Sequence, residues 1–220
     1  MANIIMQDVP SGGGISIEEL VSCAEPSGEI TVNADIASYG LSGRNAVTRV
    51  NVADGKSIGE GGISRCSELL TIFAPKASVI GASALAFNTK LQTVVIGECG
   101  NFTTICRGNT VMTTADINST KLYTGFFQGS PAVGTLILRS TAITALQTAS
   151  ALSDTKFKSG GAGGTIYIPK LLYDHLGDGT ANDYKAATNW SIIDGYGTIT
   201  WAQIEGSIYE NAYADGTPIS

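Results

Sequence analysis

A segment in the middle of the chain repeats itself with a 22-residue period, and this period restricts the fold more than any other feature. Five residue pairs share the spacing: Ile58 and Ile80, Gly59 and Gly81, Ile63 and Leu85, Leu69 and Leu91, Ile72 and Val94. A fixed period of this length is typical of a solenoid, in which each repeat buries its apolar side against its neighbours. We therefore expect a scaffold that binds or displays rather than one that catalyses.

Short β-type runs carry the repeat. Val50, Ile72 and Val94 are separated by the same period and lie within the runs 47–52, 70–73 and 93–96. Stacked runs of this kind predict one parallel sheet along a face of the solenoid. Residues 29–32 are the predicted opening strand, with Ile30 one period before Val52, and 135–138 and 165–168 are later strands. The interval 97–134 indicates one degenerate turn with an irregular loop, which gives five or six turns in all.

Cys66 and Asn88 occupy the same position of successive repeats. A tight bend leaves backbone groups that need hydrogen-bond partners, and small polar side chains at one position can supply them in every turn. The spacing therefore predicts a structural ladder position at Cys66 and Asn88, with a coincidental match as the alternative.

The two ends differ from the repeats. Residues 1–28 are predicted to cap the first turn or attach the protein to something else, with Ser16 and Glu19 forming a helix-capping pattern. Residues 29–204 form the predicted solenoid, closed by helical pieces at 171–176 and 183–190 that bury Trp190. The tail 205–220 contains Tyr209 and Tyr213, which are candidate partner contacts.

The repeats resemble a known family. Residues 58–69, IGEGGISRCSEL, and 80–91, IGASALAFNTKL, are similar to the BspA-like leucine-rich repeat, I-G-x-x-A-F-x-x-C/N-x-x-L. Residues 165–172, TIYIPKLL, and 183–191, DYKAATNWS, resemble the closing segment of that family. Residues 17–32 resemble the lead-in found in its members from gut bacteria and their phages. The resemblance covers 17–191 and implies a leucine-rich-repeat-like right-handed coil with one parallel sheet and a C-terminal helical cap. Ile63 and Leu85 replace the usual Phe, so we expect an aliphatic stack.

Composition excludes several functional classes. The formal net charge of −6 and the lack of any basic run argue against nucleic-acid binding. No run of apolar residues is long enough to cross a membrane. The start of the chain lacks the basic and apolar parts of a secretory signal, so we expect either a removed signal or a protein that does not use that route. Hydrophobic residues make up 43% of the chain, charged residues only 15%, and there are 27 glycines, which is typical of β-rich secreted or virion proteins.

Possible chemistry is sparse. Asp174, Asp178 and Asp183 surround a Gly-rich turn and are weak calcium candidates, since calcium prefers several oxygen ligands on a flexible loop. A polar turn explains the same residues. His175 is the only histidine and adjoins Asp174, but neighbours in sequence seldom face each other on a helix. Glycine-rich stretches at 59–62 and 159–164 lack the ending of a phosphate loop, so no cofactor site is predicted.

Four cysteines occur, at Cys23, Cys66, Cys99 and Cys106, and none forms a zinc-type pair. A disulfide between Cys99 and Cys106 is one interpretation, and free buried thiols are the other.

These features favour a non-enzymatic structural or binding protein of a phage particle: a head decoration, a fibre protein or a tail-associated adhesin. Its expected partners are other virion proteins and a host-surface glycan or protein, with homo-oligomerisation as a further expectation. A bacterial cell-surface adhesin and a glycan-acting enzyme are the alternatives.

Overall fold

The computed structural model describes residues 28–205, which form a parallel β-solenoid of about five turns with few helices. The strands are β1 (Glu29–Val32), β2 (Arg49–Val52), β3 (Ser57–Ile58), β4 (Thr71–Ala74), β5 (Val79–Ile80), β6 (Thr93–Ile96), β7 (Thr114–Ile117), β8 (Lys121–Leu122), β9 (Thr135–Leu138), β10 (Ala145–Leu146), β11 (Gly164–Ile168) and β12 (Ile199–Gln203). One long sheet has the order β1-β2-β4-β6-β7-β9-β11-β12, and β3 pairs with β5 and β8 with β10 in short separate sheets. Strands that pair are parallel throughout the described residues.

The register of the long sheet follows the sequence period. Thr71 at the start of β4 pairs with Thr93 at the start of β6, which completes one period. Thr93 pairs with Thr114 in the next turn, which is one residue shorter. The first turn is shorter still, because Ile30 pairs with Val50 and not with Val52 as the 22-residue spacing predicts.

Alternation along each strand separates the interior from the outer face. In β1, β2 and β4 the second and fourth residues are buried, whereas the first and third are partly or fully exposed. The short strands contribute a second inner wall with Ile58, Ile80 and Leu122, all fully buried. The third wall follows the short strands and contains Ile63 and Leu85, the predicted aliphatic stack, both fully buried. This enclosed apolar column is the core that holds successive turns together.

The interval 97–134 is more regular than its sequence indicates. It contains β7, paired in register with β6 on one side and β9 on the other. The same turn departs from its neighbours on the second wall, where residues 101–102 form no strand. The sequence did not predict β7 because Ala115 and Asp116 stand where other turns have large apolar residues.

The chain after β9 contains longer connections and the helices. Thr135 pairs with Thr165, and Thr165 with Thr200, so the last two crossings are longer than the regular turns. A 3₁₀ helix spans Ala149–Leu152, α1 spans Lys170–Tyr173 and α2 spans Trp190–Asp194. The helix predicted at 183–190 is wrong, because those residues form turns and α2 begins at Trp190.

Trp190 is nevertheless fully buried, as is Tyr184, and their ring centroids are 5.3 Å apart. Trp190 Nε1 donates to the carbonyl of Thr144 at 2.7 Å, and Tyr184 Oη accepts from the amide of Thr144 at 2.8 Å. Two aromatic side chains therefore hold the segment between β11 and β12 against the turn that contains Thr144.

Across residues 28–205, no helix has the length and apolar character needed to cross a membrane.

Candidate functional site

The two ladder residues predicted from the period lie in neighbouring turns and are joined by a hydrogen bond. Asn88 Oδ1 accepts from the Cys66 amide at 2.8 Å, and Asn88 Nδ2 donates to the carbonyls of Ile63 and Leu85 at 2.8 and 3.0 Å. Cys66 Sγ donates to the carbonyl of Leu41 at 3.1 Å. Asn88 is fully buried, so its side chain supplies the hydrogen bonds that water would otherwise make to the backbone groups inside the bend.

The same position continues through three more turns, which the sequence alone did not reveal. Asn109 Oδ1 accepts from the Asn88 amide at 2.8 Å, and the Asn109 amide donates to Ser130 Oγ at 3.1 Å. In the following turn, Thr155 Oγ1 donates to the carbonyl of Leu152 at 2.7 Å. These side chains are buried and hydrogen-bonded to the backbone, which makes the ladder a structural feature.

The bends outside the ladder carry a second periodic feature. Each of five successive turns contains two residues with left-handed backbone, four positions apart. The pairs and their φ angles are Tyr39 (59°) and Gly43 (75°), Gly61 (58°) and Arg65 (56°), Ser83 (50°) and Phe87 (61°), Thr104 (59°) and Gly108 (72°), Gly125 (66°) and Gly129 (70°). Glycine adopts this conformation without penalty and occupies half of these positions, so the side chains at the other half need an explanation of their own.

Tyr39, Arg65 and Phe87 are bulky residues at these strained positions. An L-residue in left-handed backbone costs about 1–2 kcal/mol, and glycine stands at the equivalent position of other turns. Their side chains project outward: Tyr39 is 53% exposed and Phe87 38% exposed. Residues held in unfavourable backbone conformations concentrate at functional sites, so this surface is the strongest candidate on the described chain.

The side chains of this surface pack on the neighbouring turns. The Phe87 ring lies over Gly108, where a Cβ atom would meet ring carbon Cδ1 at 2.5 Å. The Arg65 and Arg107 guanidinium carbons lie 5.7 and 5.4 Å from the centroid of that ring, within cation–π range. Within residues 28–205, neither guanidinium group forms a hydrogen bond or an ion pair.

Tyr39 extends the surface toward the first turn. Its ring lies over Gly61, and its Oη donates to Glu60 Oε1 at 3.2 Å. At the equivalent position of later turns, the hydroxyl oxygens of Ser83 and Thr104 are 2.9 Å apart. We call the surface formed by Tyr39, Glu60, Arg65, Phe87 and Arg107 the arginine–aromatic face.

The arginine–aromatic face was not predicted because the sign of φ is not visible in a sequence. The signal was present, since Gly43, Arg65 and Phe87 share the period of the core positions. Exposed positions of a repeat vary in residue type, so their spacing attracts less notice than that of the apolar positions.

The calcium candidates are engaged in contacts of their own. Asp183 Oδ1 accepts from the amides of Gly177 and Lys185 at 2.9 and 2.8 Å, and Oδ2 accepts from the Gly179 amide at 3.0 Å. Burial raises the pKa of Asp183, but the three amide hydrogen bonds outweigh burial and leave the pKa below its ordinary value. Asp174 pairs with Lys170 at 2.7 Å.

His175 does not approach Asp174 through its ring, and its Nδ1 lies 2.6 Å from Asp178 Oδ2 instead. The pKa of Asp178 lies below its ordinary value, because the Thr180 amide and then the His175 ring donate to its carboxylate. No group of three or more His, Cys, Asp or Glu side chains suited to a metal ion occurs within the described part of the chain.

The cysteines of the described chain are free and buried: Cys66, Cys99 and Cys106. Burial raises the pKa of Cys99 to about 12 and that of Cys106 well above the ordinary thiol value. Inert, protonated thiols are the expected state of such residues.

Several predictions made for the two ends concern residues outside the described range. They are the capping pattern at Ser16 and Glu19, the thiol of Cys23, and the candidate contacts Tyr209 and Tyr213.

A shallow cavity lies in the part of the chain after β9. Its volume is about 370 Å³, and its walls include Leu152, Phe157, Lys158, Ile193 and Tyr196. The exposed Lys158 and Tyr196 give it a cation and an aromatic ring, as on the arginine–aromatic face.

The geometry places the chain in the class of parallel β-solenoids that carry an exposed side-chain array on their bends. No protein-family model, curated protein or solved structure matches the chain.

Proposed function

We propose that the chain is a non-enzymatic structural and binding protein displayed on the outside of a phage particle, of the BspA-like leucine-rich-repeat type. Its role is that of a head decoration, a fibre protein or a tail-associated adhesin, with other virion proteins and a host-surface glycan or protein as partners. The arginine–aromatic face is the contact surface in this proposal.

The observation that carries the proposal is the set of bulky side chains at left-handed positions. Tyr39, Arg65 and Phe87 each incur backbone strain and remain exposed, so they do not contribute to the core. Aromatic and arginine side chains are also the types that dominate binding energy at protein surfaces. A solenoid core with an unusual outer array is the pattern expected of a scaffold that presents contacts.

The segment that follows β11 has a supporting role in this proposal. In this proposal Tyr184 and Trp190 serve as the cap, since both side chains are fully buried and hydrogen-bonded to Thr144 in the turn after β9. Repeat proteins need atypical ends because a regular last turn would expose its apolar side to water. Among residues 28–205, β1 and β12 are the outermost strands of the long sheet, and the proposal assigns homo-oligomer contacts to them.

Mass spectrometry of purified particles tests the proposal. We expect peptides of this chain to co-purify with capsid proteins through a density gradient, at a copy number that is a fixed multiple of a known virion component. Absence from particles of the producing phage would overturn the proposal. Recovery with the bacterial envelope fraction, in cells without phage production, would favour the surface-adhesin alternative.

A further inference from the structure

We propose that the C-terminal tail, residues 206–220, lies across the outer face of the long sheet and covers a row of side chains there. We call this row the outer strip. It consists of register partners on five neighbouring strands: Phe73, Val95, Asp116, Ile137 and Tyr167. The proposed position of the tail is independent of the proposed function, since it involves the long sheet and not the arginine–aromatic face.

The middle of the outer strip is buried on the side of the sheet that faces away from the core. Val95 and Ile137 are fully buried, yet neither belongs to the apolar cluster inside the solenoid. Side chains of a strand stand roughly perpendicular to the sheet, so neighbours in the sheet shield them from the sides and leave the top open. Outward residues elsewhere on this sheet, such as Asn51 and Thr71, accordingly remain partly exposed. The burial of the strip therefore indicates a layer above it.

Arg139 also indicates a layer above the strip. Its guanidinium group pairs with Asp116 on the outer face, and its side chain is only 8% exposed, although surface arginines usually keep their charged end in water. Among residues 28–205, α1 packs mainly on β12 and α2 on the 3₁₀ helix, not on the strands of the outer strip. The terminal segments 1–27 and 206–220 are therefore the parts of the chain that can supply the layer.

The described chain leaves the last strand on the outer face, beside the strip. Trp201 pairs with the inward-facing Ile166, so alternation directs the side chain of Ile204 outward. Ile204 is 6% exposed and lies outside the core cluster, as Val95 does. From β12 to β4 there are five strand steps, about 24 Å at the usual strand spacing. About eight extended residues span that distance, so the tail is long enough to cross the whole strip.

The N-terminal segment has a different surface to cover. The outward residues of β1, Glu29 and Thr31, are exposed, so burial of the outer face fades toward the strand that residues 1–27 precede. The apolar side chains of the first turn are nevertheless buried: Leu41 is 2% and Val47 1% exposed, with no described turn beyond them. The capping role predicted for the N-terminal segment matches that end of the column. The tail is therefore the segment whose position matches the outer strip.

The composition of the tail complements the outer strip. The tail contains three large apolar side chains and two carboxylates but no Lys or Arg: Ile208, Tyr209, Tyr213, Glu210 and Asp215. The outer face carries the opposite charge at two places, Arg139 and Arg49, and the Arg49 guanidinium carbon lies 5.7 Å from the centroid of the Phe73 ring. Apolar side chains flanked by charges of opposite sign on the two surfaces favour one specific position of the tail.

Thiol labelling of the full chain tests whether the outer strip is covered. Val95→Cys places a reporter on the strip, and Val94→Cys places one in the core, one position away, since both residues are fully buried. Each is made together with Cys23→Ser, because the other native thiols are free and buried. Reaction with a water-soluble maleimide is followed by intact mass. We expect both reporters to react at least about tenfold more slowly than Val79→Cys, at a position that is 42% exposed.

A tail variant then identifies the covering segment. Tyr209→Asp with Tyr213→Asp should make Val95→Cys react at least about tenfold faster, because charged side chains do not pack on an apolar strip. Val94→Cys should stay protected, which shows that the solenoid remains folded. The matched control is Ala212→Ser with Ala214→Ser, which alters the tail without removing a large side chain and should leave both reporters protected. Excess unaltered chain should not restore protection to the tail variant.

Four results would overturn the inference. They are rapid labelling of Val95→Cys beside an unaltered tail, continued protection of it in the tail variant, restored protection by excess unaltered chain, and exposure of it by a change in the N-terminal segment. That change is Ile17→Ser with Leu20→Ser, and exposure counts if Val94→Cys stays protected. Restored protection would assign the covering tail to a second copy of the chain, and exposure by the N-terminal change would assign the cover to residues 1–27.

Discussion

Asn88 satisfies backbone groups of two turns at once, from a position with no access to water. Its side chain accepts from the Cys66 amide and donates to the carbonyls of Ile63 and Leu85. Buried backbone groups that lose their partner cost about 1–3 kcal/mol each, so one amide side chain supports the geometry of the whole bend.

Asn88→Ala should therefore lower the free energy of unfolding by about 3 kcal/mol, because it orphans buried backbone groups and leaves a small void. Urea denaturation followed by circular dichroism measures the change. Thr89→Ala, at the exposed neighbouring position, is the control and should change stability by less than about 0.5 kcal/mol. Equal effects of the two substitutions would contradict the structural role of the ladder.

The carboxylate of Asp183 gives a pH dependence whose sign follows from its lowered pKa. A carboxyl group with a pKa below the ordinary 3.8 in the folded state stabilises the fold above 3.8 and loses that contribution as pH falls through the folded value. Asp183→Asn should thus be less stable than the unaltered chain at neutral pH, and the difference should shrink below pH 3.8. Denaturant titrations at several pH values measure it, and a difference that grows on acidification would be inconsistent with this assignment.

At the residue scale, the sequence predicted the side chains that recur at the repeat period. It missed the side chains in turns of a different length and those at positions where the residue type varies. The Cys66 and Asn88 pair follows from identical spacing. The later ladder side chains share the position, but shorter or longer turns shift them out of the 22-residue register. The left-handed conformation of Arg65 and Phe87 depends on the bend that surrounds them, which propensity alone does not describe.

Among the elements, β7 carries a buried charge whose partner lies outside the strand. Asp116 lies on its outer face with a side chain only 1% exposed, and it forms a two-pronged ion pair with Arg139 just after β9, with N–O distances of 2.7 and 2.8 Å. A buried ion pair contributes little net stability, but removal of one partner leaves a buried charge without its counterion.

Arg139→Leu should destabilise the protein by about 3–5 kcal/mol, because the buried carboxylate of Asp116 loses its guanidinium partner. The double variant Asp116→Val with Arg139→Leu should recover most of the loss, because Val95 already occupies the equivalent outward position of β6. The two variants are compared by chemical denaturation. If the double variant is no more stable than Arg139→Leu alone, the buried charge is not the cause of the loss.

The element scale also explains the strands that the sequence did not predict. A strand pattern assigns Asp116 to the surface, and only the chain next to the partner strand supplies the Arg139 that permits its burial. In β12 no residue of the strand is fully buried, so it lacks the alternation that marks the regular strands. The strands β1, β6, β9 and β11 were predictable because apolar residues stand at their buried positions in the sequence.

For the whole molecule, the repeat period predicted the architecture because stacking is the only way for each turn to bury its apolar side. The five turns from β1 to β9 follow from that argument, with small variations in length. The longer crossings after β9 follow no period, and contacts far apart in sequence, such as Trp190 with Thr144, determine their course. The exposed side chains at left-handed positions, such as Tyr39 and Phe87, belong to the same category, since they lie outside the core.

The most direct measurement of the central claim is attachment of the purified protein to envelope preparations from a panel of gut bacteria, with three forms of the chain compared. The face variant carries Arg65→Gln, Phe87→Gly and Arg107→Gln, and the reference variant carries Leu70→Ser, Lys90→Gln and Val111→Ser, at exposed positions outside the arginine–aromatic face. We predict saturable attachment of the unaltered chain and of the reference variant, with at least a tenfold loss for the face variant. Retained attachment of the face variant, or none by the unaltered chain, would contradict the claim that this solenoid binds through its arginine–aromatic face.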